Sequence, residues 1–182
     1  LWNHRWEHDK GPEAFADALV ALDARGVDFQ VVVLGEAFVS VPPAFARLRE
    51  VLGARLARVG YVEDRGEYAR WLWQSDVVVS TARHEFFGVA VCEAVYCGNR
   101  PVLPRRLAYP EVFPPDAFPD AYYASEDGLV AALAAAVAAA ASGRPPDPAL
   151  AERVEAFDWP AIAARLDAIV EDAVARAGGR GV

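Results

Sequence analysis

The stretch from Asp76 to Gly98, in which a strand pattern gives way to a helix pattern, constrains the fold of this chain most. Residues Asp76–Thr81 form a short valine-rich run, which is typical of a strand buried on both faces of a sheet. Residues Val89–Tyr96 predict a helix, and Gly98 stands where such a helix ends. Between them, Gly88 lets a ligand approach the backbone, and the first N–H groups of the helix favour an anion. The stretch therefore predicts a phosphate-binding turn.

The same alternation of strand and helix patterns continues through the chain. Strand patterns occupy residues 1–3, 29–35, 55–62, 76–81, 99–104 and 121–124. Helix patterns begin near Pro12, Pro43, Asp64, Val89, Ser125 and Asp158, several of them after a capping residue or at a proline. This order predicts an α/β fold with a doubly wound parallel sheet, in which ligands bind at the carboxyl ends of the strands.

Three further segments are predicted from turn residues and periodicity. Residues 107–119 predict a proline-rich loop, and the prolines within residues 145–148 predict a linker. One apolar stripe predicts an amphipathic last helix and is formed by Ile162, Leu166, Ile169 and Val170. Residues 178–182 predict a frayed tail.

The composition favours a single soluble core and argues against a broad RNA-binding surface. The chain has 182 residues, 54% of them hydrophobic, so it can bury one sizeable core. Its net charge of −8 disfavours nucleic acid, and Arg100, Arg105 and Arg106 form only a small basic cluster. An RNA would therefore bind outside this chain. The longest apolar run, residues 129–141, is mostly alanine and predicts a soluble helix, with no membrane span.

The ends and the cysteines of the chain bear on its cellular context. The chain has no methionine and begins within a predicted strand, which predicts a piece of a longer protein and leaves any upstream targeting segment open. Cys92 and Cys97 fall on different faces of one predicted helix, as expected for reduced cysteines in a cytoplasmic protein.

Three segments carry a resemblance to a known family. They are Asn3-His4-Arg5-Trp6-Glu7-His8-Asp9-Lys10, Ser80-Thr81-Ala82-Arg83-His84-Glu85-Phe86-Phe87-Gly88-Val89 and Arg106-Leu107-Ala108-Tyr109-Pro110-Glu111. In this order they resemble the tRNA-queuosine α-mannosyltransferase-like family. The E-x7-E spacing of Glu85 and Glu93, with Phe87-Gly88 before the helix, looks like the donor-site signature of retaining GT-B glycosyltransferases. The resemblance covers nearly the whole chain.

The resemblance implies a fold and a function. It implies the Rossmann-like C-terminal half of a GT-B enzyme, with residues 1–143 as the nucleotide-sugar-binding domain and residues 144–182 as a linker and C-terminal helices of the same domain. The implied donor is GDP-mannose, bound without a metal, and queuosine in tRNA is the possible acceptor. The acceptor half would lie in an N-terminal domain outside this chain, so we expect the chain alone to bind donor without transferring sugar.

The resemblance also implies a role for each candidate residue. Arg5 and Lys10 would stabilise the leaving diphosphate, and Glu85 would lie near the sugar hydroxyls; these are the candidate catalytic residues. The N–H groups of the helix start would cradle the phosphate, and Glu93 would accept the ribose hydroxyls in a bidentate contact. The remaining donor-binding candidates are His84 at the sugar, Phe87, Gly88 and Val89 at the phosphate, and Tyr61 and Val62 at the base.

Each of these interpretations has a plainer alternative. Arg5 and Lys10 can be an exposed surface pair, Glu85 and Glu93 can be ordinary helix carboxylates, and Tyr61 can be a core aromatic residue. His4, His8 and His84 raise the alternative of a zinc site, although the first two are not expected on a helix. At the level of function, the alternatives are a nucleotide-sugar epimerase or phosphorylase of the same fold and a non-catalytic nucleotide-binding domain.

Overall fold

The computed structural model describes residues 1–36 and 40–178. Its six strands lie within the predicted strand segments, and each is shorter than its prediction. The strands are β1 (Trp2–Asn3), β2 (Val31–Leu34), β3 (Leu56–Gly60), β4 (Val77–Val79), β5 (Arg100–Pro104) and β6 (Tyr122–Tyr123). All the pairings between them are parallel, as predicted.

The strand order of the sheet reverses between β1 and β4. Strands β1, β2 and β3 pair in that order, and so do β4, β5 and β6. The two halves meet at Leu1, whose nitrogen donates to the Val77 carbonyl oxygen at 2.7 Å and whose carbonyl oxygen accepts from the Val79 N–H at 3.0 Å. The overall order is therefore 3-2-1-4-5-6. A crevice opens at the carboxyl ends of strands where the order reverses, which puts the candidate site between β1 and β4.

The helices confirm most of the predicted starts. They are α1 (Pro12–Ala24), α2 (Pro43–Leu52), α3 (Arg65–Gln74), α4 (Val89–Tyr96), α5 (Tyr109–Val112), α6 (Glu126–Ala141), α7 (Pro148–Glu155) and α8 (Trp159–Gly178). The predicted caps at Asp64 and Ser125 accept backbone hydrogen bonds from Glu67 and Gly128.

Two helices were not predicted from the sequence. Helix α7 begins at Pro148, the last residue of the predicted linker, because proline fits the first helical turn, where its missing N–H is no loss, and Asp147 accepts from the Ala149 N–H. Leu150 and Val154 of α7 are buried against the group of core residues that includes α4. The predicted loop 107–119 contains the single turn of α5, which buries Tyr109.

Helices cover both faces of the sheet, as a doubly wound fold requires. One core joins α1, α2 and α6 to the sheet through residues such as Phe15, Phe45 and Leu129. The other joins α3, α4 and α7 through residues such as Leu72 and Val91. This arrangement confirms the predicted fold class.

The last helix differs from the others in its exposure. The predicted stripe is present, but Leu166, Ile169 and Val170 are 51%, 63% and 53% exposed. The prediction of a frayed tail falls largely on residues 179–182, which lie outside the described residues, whereas Gly178 is the last residue of α8. Among the described residues, no helix combines the length and apolar character needed to cross a bilayer.

Candidate functional site

Two strand-to-helix loops meet at the crevice between β1 and β4. The first loop is residues 4–11, which lead from β1 to α1, and the second loop is residues 80–88, which lead from β4 to α4. The Asp9 carbonyl oxygen accepts from the N–H groups of Arg83 and His84 at 2.7 and 3.3 Å. The Thr81 hydroxyl lies 2.8 Å from the Lys10 carbonyl oxygen, to which it donates. The two loops therefore form one unit, although they are about 70 residues apart in sequence.

A buried ion pair joins the two loops. Lys10 is only 7% exposed, and its Nζ lies 3.2 Å from Glu85 Oε2 and 2.8 Å from the His84 carbonyl oxygen. Asp9 supplies a second carboxylate at 3.3 Å. Lys10 is also the only lysine in the sequence. The interpretation of Lys10 as an exposed surface cation is wrong, because burial of a charge at this depth requires paired and hydrogen-bonded surroundings.

The Glu85 carboxylate accepts hydrogen bonds from N–H groups that were predicted to bind a phosphate. Its Oε1 accepts from the N–H groups of Phe86, Phe87 and Gly88 at 3.0, 3.4 and 3.2 Å. Burial raises the pKa of the Glu85 carboxyl, but Lys10 and these N–H groups more than offset it and leave the pKa below its ordinary value. In the structure the anion at the helix start is therefore Glu85 itself, which is the plainer alternative for this residue, and phosphate binding there stays a prediction.

Gly88 is required for a reason that differs from the predicted one. Its φ is +90°, and a Cβ there would lie 2.8 Å from Cε1 of the Tyr109 ring. Tyr109 is fully buried, and its hydroxyl lies 2.7 Å from Ser80 Oγ. The space beside Gly88 was predicted to admit a ligand, but on its Cβ side a tyrosine ring occupies it. The N–H side of the same residue still faces Glu85.

Glu93 lies in a second polar cluster, which includes side chains from α3 and β1. Its Oε2 accepts from the Tyr68 hydroxyl at 2.9 Å, and Tyr68 in turn accepts from Asn3 Nδ2 at 3.0 Å. The sequence patterns gave neither Tyr68 nor Asn3 an individual role. A tyrosine hydroxyl on a buried helix face needs a polar partner, and this requirement could have indicated a contact between Tyr68 and a polar residue.

The other predicted residues are more exposed. Arg5 is 58% exposed at its side chain and pairs with Glu7 at 3.2 Å, so the structure gives Arg5 and Lys10 different partners. His84 is exposed and contacts the Phe86 ring edge-on, with 4.6 Å between ring centroids. Tyr61 is 54% exposed, which contradicts its interpretation as a core aromatic residue.

Val62 and His4 lie just after the ends of β3 and β1. Val62 is buried against Val32 and Leu34, so any ligand contact at this position would use its backbone. His4 is 5% exposed, and burial lowers its pKa to about 4, against the opposing charge of Glu85. His4 is therefore a neutral imidazole at physiological pH.

Solved structures define the class of this fold. A pneumococcal O-GlcNAc transferase, GtfA, in complex with UDP and GlcNAc, aligns with a TM-score of 0.71 at 17% identity, covering 95% of this chain and 35% of that chain. The catalytic domain of cholesterol-α-glucosyltransferase from Helicobacter pylori aligns with a TM-score of 0.66 at 13% identity, covering 86% of this chain and 96% of that chain. The chain has the Rossmann-like fold of a GT-B glycosyltransferase half.

Sequence comparisons identify the family. The family described as glycosyl transferases group 1 matches residues 3–142, and the chain belongs to it. A tRNA-queuosine alpha-mannosyltransferase from Drosophila melanogaster is 47% identical over 114 residues, which are 63% of this chain and 30% of that protein. This confirms the resemblance drawn from the three sequence segments.

A second relative is more distant. A GDP-mannose-dependent alpha-(1-6)-phosphatidylinositol dimannoside mannosyltransferase from Mycobacterium tuberculosis is 35% identical over 109 residues, which are 59% of this chain and 27% of that protein. The chain therefore matches less than a third of the length of either relative.

Proposed function

We propose that this chain is the donor-binding domain of a retaining mannosyltransferase that uses GDP-mannose and acts on queuosine in tRNA. The observation that carries the proposal is the buried Lys10–Glu85 pair in front of the first turn of α4, at the point where the strand order reverses. The donor follows the names of the two mannosyltransferase relatives, and the acceptor follows the name of the fly relative. A tRNA acceptor implies a cytoplasmic enzyme.

Donor binding would exchange one anion for another at the helix start. The diphosphate of the donor would take over the N–H groups of Phe87 and Gly88 and the ammonium group of Lys10, which Glu85 holds in the structure. Glu85 would then turn toward the sugar hydroxyls. A preset cation and the N-terminus of a helix stabilise the charge that develops on the leaving diphosphate, and this chemistry needs no metal ion.

Arg5 would act as the second cation after a change of side-chain position. It lies on the same loop as Lys10 but is exposed and paired with Glu7, so its guanidinium must leave that partner to reach a phosphate. An exposed ion pair of this kind contributes little to stability, about 0–1 kcal/mol, and is easily exchanged. Lys10 would therefore hold the diphosphate from the start, whereas Arg5 would close over it.

The remaining donor-binding residues would surround this centre. Glu93 would receive the ribose, the backbone of Tyr61 and Val62 would contact the base, and exposed His84 would lie beside the transferred sugar. The N–H of Val89 would complete the phosphate cradle. Contacts with the acceptor would come mainly from parts of the whole protein that this chain does not include, since the chain spans 30% of the fly relative.

The single lysine makes the proposal directly testable. In protein labelled with 15N at the lysine side chain, Lys10 contributes the only lysine ammonium signal. We expect this signal to shift on titration with GDP, and calorimetry to report binding that survives EDTA. The variant Lys10→Met should bind GDP at least tenfold more weakly. Arg47→Met, which removes an exposed cation paired with Asp17, is the matched control and should bind as the parent does.

The transfer reaction is tested with the full-length enzyme. We expect it to mannosylate queuosine-containing tRNA from GDP-mannose, and we expect the 182-residue chain to bind GDP without doing so. A Lys10 signal that GDP leaves unmoved would reject the donor site. Binding that EDTA abolishes would reject the metal-free mechanism, and a full-length enzyme inactive on this tRNA would reject the acceptor.

A further inference from the structure

A chain of hydrogen bonds that includes Glu93 links β1, α3 and α4. Asn3 at the end of β1 donates through Nδ2 to the Tyr68 hydroxyl on α3 at 3.0 Å. The Tyr68 hydroxyl donates to Glu93 Oε2 on α4 at 2.9 Å. Asn3 Nδ2 also donates to the Ala90 carbonyl oxygen in the first turn of α4 at 2.9 Å. The carboxylate and the helix that carries it are therefore both tied to β1.

The donor and acceptor roles in this chain follow from chemistry. The Ala90 carbonyl oxygen can only accept, so the side-chain atom of Asn3 that faces it must be the amide nitrogen. The same nitrogen faces Tyr68, which makes the tyrosine oxygen an acceptor from Asn3. The Tyr68 hydroxyl therefore uses its own proton to donate to Glu93. This fits the chemistry of an ionised carboxylate, which can only accept hydrogen bonds.

Burial holds this arrangement in place. Asn3 is 6% exposed, and the Tyr68 ring packs against the small apolar cluster of Val32, Leu34 and Val62. Burial, and in second place the charge of Glu93, raise the pKa of the Tyr68 hydroxyl above its ordinary value, so it remains a proton donor throughout the neutral range. The ring is partly buried and packs against that cluster, which restricts its movement.

We infer that Tyr68, held by Asn3, is a positioning residue that orients Glu93 toward the ribose of the bound nucleotide. The inference rests on the proposed function, in which Glu93 is the ribose ligand. It also changes the predicted contact. Tyr68 engages one carboxylate oxygen of Glu93, so the ribose is received mainly through the other oxygen. A preset carboxylate loses less side-chain freedom on binding than a mobile one.

The test uses the conservative variant Tyr68→Phe, which keeps the ring in its cluster and removes only the hydroxyl. Calorimetry compares GDP with 2′,3′-dideoxy-GDP on the 182-residue chain. We expect the Kd for GDP to rise about fivefold, because Glu93 would then have to lose its side-chain freedom on binding, while the Kd for the dideoxy nucleotide stays unchanged. Tyr96→Phe, on the exposed face of α4, is the matched control and should leave both constants unchanged.

Two further variants separate the inference from the proposed function. Glu93→Ala should abolish the preference for GDP over the dideoxy nucleotide, and Tyr68→Phe combined with Glu93→Ala should bind no more weakly than Glu93→Ala alone. If Glu93→Ala keeps the preference, the proposed ribose site fails and the inference fails with it. If Glu93→Ala loses the preference but Tyr68→Phe keeps it, or weakens both nucleotides equally, only the positioning role of Tyr68 is rejected.

Discussion

The two loops that meet at the crevice are built alike but are closed by different means. Each ends at a glycine with left-handed backbone directly before a helix, Gly11 with φ +66° and Gly88 with φ +90°. A Cβ on Gly11 would lie 2.5 Å from the carbonyl oxygen of Thr81, whereas a Cβ on Gly88 would lie 2.8 Å from the ring of Tyr109. At its glycine, the first loop therefore packs against the backbone of the second loop, whereas the second loop packs against a side chain of α5.

The loops also differ in charge. The first loop supplies the buried ammonium group of Lys10, and the second supplies the Glu85 carboxylate together with the N–H groups of the helix start. Neither loop could bury its charge without the other, because an unpaired buried charge is strongly destabilising. The site therefore forms where two distant segments of the chain pack together, and variants at each segment can separate their contributions.

The largest effect is expected for Gly11→Ala. The new methyl group meets a backbone carbonyl that cannot move aside, and the left-handed conformation adds about 1–2 kcal/mol of strain. We expect a loss of at least about 3 kcal/mol of unfolding free energy in urea titration. Gly26→Ala, at φ +71° with no atom within 4 Å of the new Cβ, should lose only the strain. Equal losses for the two variants would show that the loops are not closed by backbone contact.

The buried histidine of the first loop should make stability depend on pH. The folded pKa of His4 is lowered to about 4, so between its ordinary pKa of 6.5 and pH 4 the unfolded chain binds a proton that the folded chain does not. Unfolding free energy should therefore fall as the pH drops through this window, by up to about 3 kcal/mol.

Variants isolate the contribution of His4 from that of the carboxylates. His4→Gln should flatten the pH dependence between pH 6.5 and 4, as measured by urea titration at several pH values. His84→Gln, which replaces the exposed histidine of the second loop, is the control and should follow the parent curve. A His4→Gln curve parallel to that of the parent would mean that His4 takes up its proton in the folded state.

A smaller loss of stability is expected for Gly88→Ala. The backbone strain resembles that at Gly11, but the obstacle is the edge of an aromatic ring, which yields more readily than backbone. We expect a loss of about 2 kcal/mol. Gly143→Ala, at φ +72° with open space around the new Cβ, controls for strain alone. A Gly88→Ala variant as unstable as Gly11→Ala would remove the distinction between the two loops.

The smallest effect concerns the anion at the helix start. Glu85→Gln keeps the hydrogen-bond acceptor for the N–H groups but removes the charge that competes with a diphosphate, so GDP should bind about tenfold more tightly, or roughly 1.4 kcal/mol. The full-length enzyme should nevertheless lose transfer activity. Calorimetry and a transfer assay on the same variant check both outcomes, and weaker GDP binding by Glu85→Gln would contradict the proposed exchange of anions.

Much of the fold could be predicted from local patterns. The six strands, the capping roles of Asp64 and Ser125 and the bounds of α4 all follow from residue types within a few positions of one another. The helix α7 could not be separated from a linker in this way, because Pro148 marks a helix start as readily as a turn. Likewise, the apolar stripe of α8 was predicted correctly, but periodicity does not reveal whether a stripe is covered.

Local sequence patterns are enough to predict the alternating α/β order, the glycine before α4 and the charged residues near strand ends. The pairing of those residues follows from tertiary contacts: Lys10 pairs with Glu85, Glu93 with Tyr68, and Gly88 packs against the ring of Tyr109. The physical reason is distance along the chain. Secondary structure depends on neighbours within one or two turns, whereas these contacts join segments that approach only after the sheet has assembled around β1 and β4.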